Sequence, residues 1–112
     1  MRALERLRAN GLITAALTNN WKSDGEASDR HGLRPLFDHF IESSVVGLRK
    51  PDPAIYRLAF VEIGVPGERI VFLDDIGANL KAARELGMTT IKVLDAEQAL
   101  RELERHVGID LL

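Results

Sequence analysis

The sequence predicts an α/β fold, a parallel sheet with helices on both faces, and three observations predict it. Short apolar runs alternate along the chain with stretches of helical periodicity, the pattern that places parallel strands between crossover helices. One run, Ile70 to Leu73, is apolar and β-branched, as suits a strand buried on both sides, and it leads straight into Asp74-Asp75 and then a helix. Helix boundaries are marked chemically: Asp52-Pro53 starts one helix, Asp95 with Gln98 starts another, and Gly64, Gly87 and Gly108 stand where helices should stop.

Leu4 and Leu7 share a helical face before Asn10-Gly11, so a first helix is expected from about Arg2 to Ala9. Leu12 to Leu17 reads as a buried strand ending at Thr18-Asn19-Asn20. The polar stretch from Trp21 to Arg34 reads as loop with a helical turn, and Leu36, Phe37 and Phe40 as core contacts beyond it. Phe40 to Val46, closed by Gly47, reads as a second strand. A helix follows from Asp52 to about Ile63, then the strand at 70–73, a helix over Ala78 to Leu86, a strand over Thr89 to Leu94 and a last helix. Ala96, Ala99, Leu100, Leu103 and Val107 give that last helix its apolar stripe.

At 112 residues the chain is one domain at most, with 46% apolar and 29% charged residues, as in soluble globular proteins. The net charge of −2 predicts no general affinity for polyanions, so no nucleic acid is expected as partner. There is no cysteine, hence no thiolate nucleophile or zinc-thiolate site, which fits a reducing cytoplasm. The charged start, with Arg2, Glu5, Arg6 and Arg8, is unlike a signal peptide, and no run approaches the ~18 apolar residues of a membrane span. A soluble, cytoplasmic chain without membrane partners is the expectation.

Two adjacent carboxylates at a strand end repel each other, and a hard cation taking oxygen ligands answers that repulsion. Ligands in open α/β sheets bind at the carboxyl ends of strands. Taken alone, Asp74-Asp75 also reads as a strand end opening a turn. Beside it stand Thr18-Asn19-Asn20 and Lys50-Pro51-Asp52-Pro53, each at or just past the end of another expected strand. Together these motifs resemble the haloacid dehalogenase-like (HAD) hydrolase superfamily, with Thr18 matching its second motif, Lys50 its third and Asp74-Asp75 its fourth, in the right order. The run Leu73 to Gly87 and the ending Gly108-Ile109-Asp110-Leu111-Leu112 look more narrowly like the N-terminal phosphatase domain of soluble epoxide hydrolases and the related domain fused to acyl-CoA dehydrogenase-like proteins.

The resemblance implies a Rossmann-like HAD core over residues 1–112 and a magnesium-dependent phosphatase acting on a small phosphate ester through an aspartyl-phosphate. Thr18 and Asn19 would bind phosphate, with Asn20 left open. Lys50 would neutralise the phosphoryl group and steady the acids, Asp75 would bind Mg2+ directly, and Asp74 would be held by Lys50 or by a metal-bound water. Asn79 would orient water or an acid, or else cap its helix. His31, His39 and His106 show no metal-site spacing. Receiver domains of response regulators also combine acids, threonine and lysine at strand ends, but there the acids come first along the chain.

The family's nucleophile is an aspartate at the end of a first strand, followed two residues later by an acid/base aspartate. Nothing before Thr18 supplies an Asp-x-Asp, and the first aspartate of the chain is Asp24. Two accounts stand: a fragment of a longer gene product, or a degenerate relative serving as a non-catalytic binding or interaction module. In either case the expected chain is inactive or nearly so. The absent strand would lie between the strand at 12–17 and that at 70–73, and its absence should leave an open gap prone to self-association, or to pairing with the missing segment, rather than two strands closed on each other.

Overall fold

The computed structural model describes residues 2–19 and 34–112. In chain order these form α1 (Arg2–Ala9), β1 (Ala15–Thr18), a 3-10 turn (Arg34–Leu36), β2 (His39–Glu42), α2 (Ser43–Val46), α3 (Pro53–Ile63), a second 3-10 turn (Gly67–Arg69), β3 (Val71–Asp74), α4 (Gly77–Glu85), β4 (Thr89–Lys92) and α5 (Ala96–Val107). All strand pairing is parallel. β1 pairs with β2, Ala15 opposite His39 through Thr18 opposite Glu42, and β3 pairs with β4, Val71 opposite Thr89 through Asp74 opposite Lys92. Among the described residues the two pairs are separate two-stranded sheets, and β1 does not close on β3.

Side chains of a strand alternate between its faces, and β3 shows why both faces need helices. Ile70 and Phe72 pack into a core built on Ile55, Tyr56 and Ala59 of α3, with Ala83 of α4, Met88 and Ile41. Val71 and Leu73 pack on the other side, against Leu7 of α1, Ala99 and Leu103 of α5, Ile91 and Leu111. The strand therefore lies between two apolar layers, as its uninterrupted apolar run requires.

The helix boundaries follow the capping chemistry. Asp52 accepts from the Ala54 N–H at 2.9 Å with Pro53 in the first helical position. At α5 the Asp95 carboxylate takes the Gln98 N–H at 2.8 Å while the Gln98 side chain accepts from the Asp95 N–H, a reciprocal box. Gly64 and Gly108 close α3 and α5 with φ of 83° and 70°, a conformation that a side chain would strain.

Two strand expectations are corrected. β1 begins at Ala15, because Leu12 still donates its N–H to Leu7 at the end of α1 and Thr14 is held by Asp38, whose carboxylate takes its N–H at 2.8 Å. The run at 40–46 is divided: the strand ends at Glu42, and Ser43–Val46 turn into one helical turn closed by Gly47 at φ 75°. His39, just before the strand expected from Phe40, opens β2. The stretch 20–33, with Asn20 and His31, lies outside the described residues. No helix among the described residues is long and apolar enough to cross a membrane.

Candidate functional site

β3 delivers Asp74 to its carboxyl end as a buried residue, 8% exposed, at the floor of a cavity of about 430 Å3. The cavity is lined by Lys50, Leu73, Asp74, Asp75, Val93 and Leu94. A buried carboxylate needs partners, and Asp74 has three. Its Oδ1 accepts from the Ile76 N–H at 2.9 Å, and its Oδ2 accepts from Lys50 Nζ at 3.0 Å and from Asn79 Nδ2 at 3.1 Å. Burial pushes this carboxyl towards its neutral form, but the Ile76 amide, the Lys50 ammonium and the Asn79 amide outweigh it and hold the group below the usual carboxylate range. Asp74 is thus a fixed anion at neutral pH.

Asp75, one residue on, points its chemistry elsewhere. It is exposed, lines the same cavity, and no described residue hydrogen-bonds or ion-pairs with its side chain. The two adjacent acids therefore divide: one neutralised inside the protein, one presented to solvent. A carboxylate facing an open cavity, with room for water, is the donor set magnesium takes, since that ion keeps several waters and binds one or two carboxylates. No cluster of three or more His, Cys, Asp or Glu occurs among the described residues, so a cation here would depend on Asp75, water and ligand oxygens.

Lys50 reaches Asp74 from the loop between α2 and α3, its side chain only 13% exposed. Its ammonium also lies 5.8 Å from the centroid of the Phe72 ring, which in turn meets Tyr56 edge-on at 5.7 Å. Asn79 sits in the first turn of α4, buried, and its carbonyl accepts the Tyr56 hydroxyl at 2.9 Å. It does not cap its helix, whose N-cap position is Ile76; its side chain is spent on Asp74. Thr18 ends β1, half-buried, level with Glu42, which is buried and paired with Arg34 at 2.9 Å. Asn19 turns its carboxamide onto the Lys50 peptide, accepting from its N–H at 2.8 Å and donating to its carbonyl at 3.0 Å.

Tyr56 and Phe72 support the site yet carry no motif: Tyr56 lies on α3 and Phe72 within the apolar run of β3. A larger cavity, about 600 Å3, lies at the other end of β1 and β2, between Arg8, Ile13 and Asp38. Two of its charged groups are engaged with each other: Asp38 pairs with Arg8 at 3.2 Å and accepts from Thr14. The Thr14 N–H, with Arg8 beside it, holds the Asp38 carboxyl below its usual range. At that end Asp38 clamps Arg8 and Thr14 together, whereas Lys50, Asp74 and Asp75 gather at the carboxyl end of β3.

The family model of the haloacid dehalogenase-like hydrolases matches residues 1–87. The chain belongs to this family. It is 44% identical over its whole length to bifunctional epoxide hydrolase 2 of Sus scrofa, of which it covers 21%. Across 84% of its length it is 31% identical to glyceraldehyde 3-phosphate phosphatase of Methanocaldococcus jannaschii, covering 42% of that protein. Among solved structures, an HAD phosphatase from Thermococcus onnurineus superposes with a TM-score of 0.82 over 98% of the chain and 57% of that protein, at 24% identity. This HAD chain thus spans about a fifth of the epoxide hydrolase and less than half of the phosphatase.

Proposed function

We propose that this HAD chain carries the phosphate-binding and charge-neutralising part of a magnesium-dependent phosphatase acting on a small phosphate ester. The observation that carries the reading is the Lys50–Asp74 pair, 3.0 Å apart at the end of β3, facing a cavity that also holds the unengaged carboxylate of Asp75. Lys50 supplies a point charge for the phosphoryl oxygens while Asp74 fixes its position. Thr18 and the backbone after it would offer donors to the same group, by their match to the family's second motif. Magnesium, held by Asp75 and water, would neutralise further phosphate charge when bound. A fold neighbour at 23% identity, from Bacteroides thetaiotaomicron, was solved with magnesium and inorganic phosphate.

The covalent step needs a nucleophilic aspartate, and no aspartate precedes Thr18 in this sequence. We therefore assign the nucleophile to a strand outside these 112 residues, which leaves the isolated chain binding phosphate without turning it over. The same absence favours a second reading, a non-catalytic module that retains the phosphate site. Calorimetric titration with inorganic phosphate in the presence of Mg2+ should show weak binding that Lys50→Ala and Asp75→Asn abolish, and hydrolysis of an aryl phosphate should stay at background. Robust hydrolysis lost on Asp75→Asn would place the nucleophile within this chain. Phosphate binding unaffected by either substitution would refute the site.

A further inference from the structure

We propose that Asn19 is a positioning residue, whose carboxamide grips the peptide of Lys50 on both sides and so fixes where the Lys50 ammonium can reach. The Asn19 Oδ1 accepts from the Lys50 N–H at 2.8 Å, and its Nδ2 donates to the Lys50 carbonyl at 3.0 Å, across 31 positions of sequence. A carboxamide is the shortest neutral side chain that presents a donor and an acceptor side by side. It pairs with a residue's backbone as a neighbouring strand would. Among the described residues, the other main-chain N–H bonds of the loop from Gly47 to Asp52 run from Gly47 to Ser43 and from Asp52 to Arg49, while Pro51 has no N–H to give.

The grip matters because the lysine side chain is long and flexible, so the placement of its backbone decides which partner its ammonium meets. Here it meets Asp74 Oδ2 at 3.0 Å. β1 and β3 share no ladder hydrogen bonds, and the path Asn19 to Lys50 to Asp74 links the end of the first sheet to the end of the second. The Asn19 side chain is thus committed to the backbone of the residue that would neutralise phosphate.

The inference rests on Lys50 serving the phosphoryl site, but its test reads placement without turnover, so loss of the grip and absence of phosphatase activity give different results. Competitive acylation with trace acetic anhydride, followed by peptide mass spectrometry, reports each lysine in one sample. Lys81 and Lys92 are exposed and serve as internal standards. In the wild type Lys50 should react more slowly than both. Asn19→Ala should raise its rate roughly five- to thirty-fold, the effect expected for losing two ordinary hydrogen bonds, with Lys81 and Lys92 unchanged. A merely structural asparagine would move all three lysines together or none. Unchanged Lys50 reactivity in a folded Asn19→Ala chain overturns the proposal. Should that variant not fold, amide exchange of the wild type decides: a protected Lys50 N–H supports the grip, and exchange at the rate of an open loop refutes it.

Discussion

At the scale of single residues, the site is held by groups that do no chemistry themselves. Tyr56 is 1% exposed and its hydroxyl donates to the Asn79 carbonyl, directly behind the amide that holds Asp74. Burial, with the Asp74 anion nearby, pushes its phenol up to about 12. The sign follows from linkage: a phenol whose folded value lies above the unfolded value of ~10 favours the fold while neutral. Its contribution is complete below about pH 10 and is lost as the pH rises from there through 12. Tyr56 is the only tyrosine in the chain, so the phenolate absorbance near ~295 nm reports it alone. The band should stay absent in the native protein until about pH 12 and appear near pH ~10 in urea. A native midpoint equal to the urea value would show the hydroxyl to be solvated. The Lys50–Asp74 pair is a weaker argument for stability, since desolvating both charges offsets much of their attraction. Its place in the lining of a cavity is better explained by what the two groups present there.

At the scale of elements, close packing rather than periodicity fixes the joint between the 3-10 turn at 67–69 and α4. A Cβ on Gly67 would fall 2.5 Å from the Leu86 carbonyl oxygen and 3.1 Å from Phe60 Cζ. The first contact is with backbone at the end of a helix and cannot swing aside. Gly67→Ala should therefore destabilise by about 1–3 kcal/mol, whereas Gly77→Ala, at the start of α4 with open space around it, should be neutral. Paired urea melts check the contrast, and equal midpoints would mean that the turn has room to shift. Elements with local chemical punctuation were legible in sequence: α1, the Asp52-Pro53 start of α3, the Asp95–Gln98 box and the acids at the end of β3. The late start of β1 and the helical turn at 43–46 were not, because Asp38 gripping Thr14 is a contact across 24 positions and the β-branched pair Val45-Val46 favours strand. Among site residues, types and order pointed to Thr18, Lys50, Asp74 and Asp75. The engagement of Asn19 with the Lys50 peptide had no sequence signal, since it depends on backbone groups brought together only by the fold.

At the scale of the whole molecule, the unjoined sheets carry a prediction for the chain's behaviour in solution. Each sheet has two strands, below the number that is stable without further cover, and β1 and β3 each carry apolar residues that stay half-buried: Ala16 and Leu17 on one, Val71, Phe72 and Leu73 on the other. Among the described residues each of these strands is hydrogen-bonded on one side only, and free edges of apolar strands are templates for pairing with another chain. The expected outcome is association that grows with concentration, read by sedimentation velocity from low to high micromolar chain. A synthetic apolar strand ending in Asp-x-Asp should relieve it, because one such strand could satisfy the edges of β1 and β3 together and bring a carboxylate near Lys50. The same strand with its apolar residues replaced by serine should have no effect, which separates sheet completion from simple charge screening. A cooperatively unfolding monomer whose mass is independent of concentration would show instead that α1, α3, α4 and α5 bury enough apolar surface to stabilise two separate sheets without any added strand.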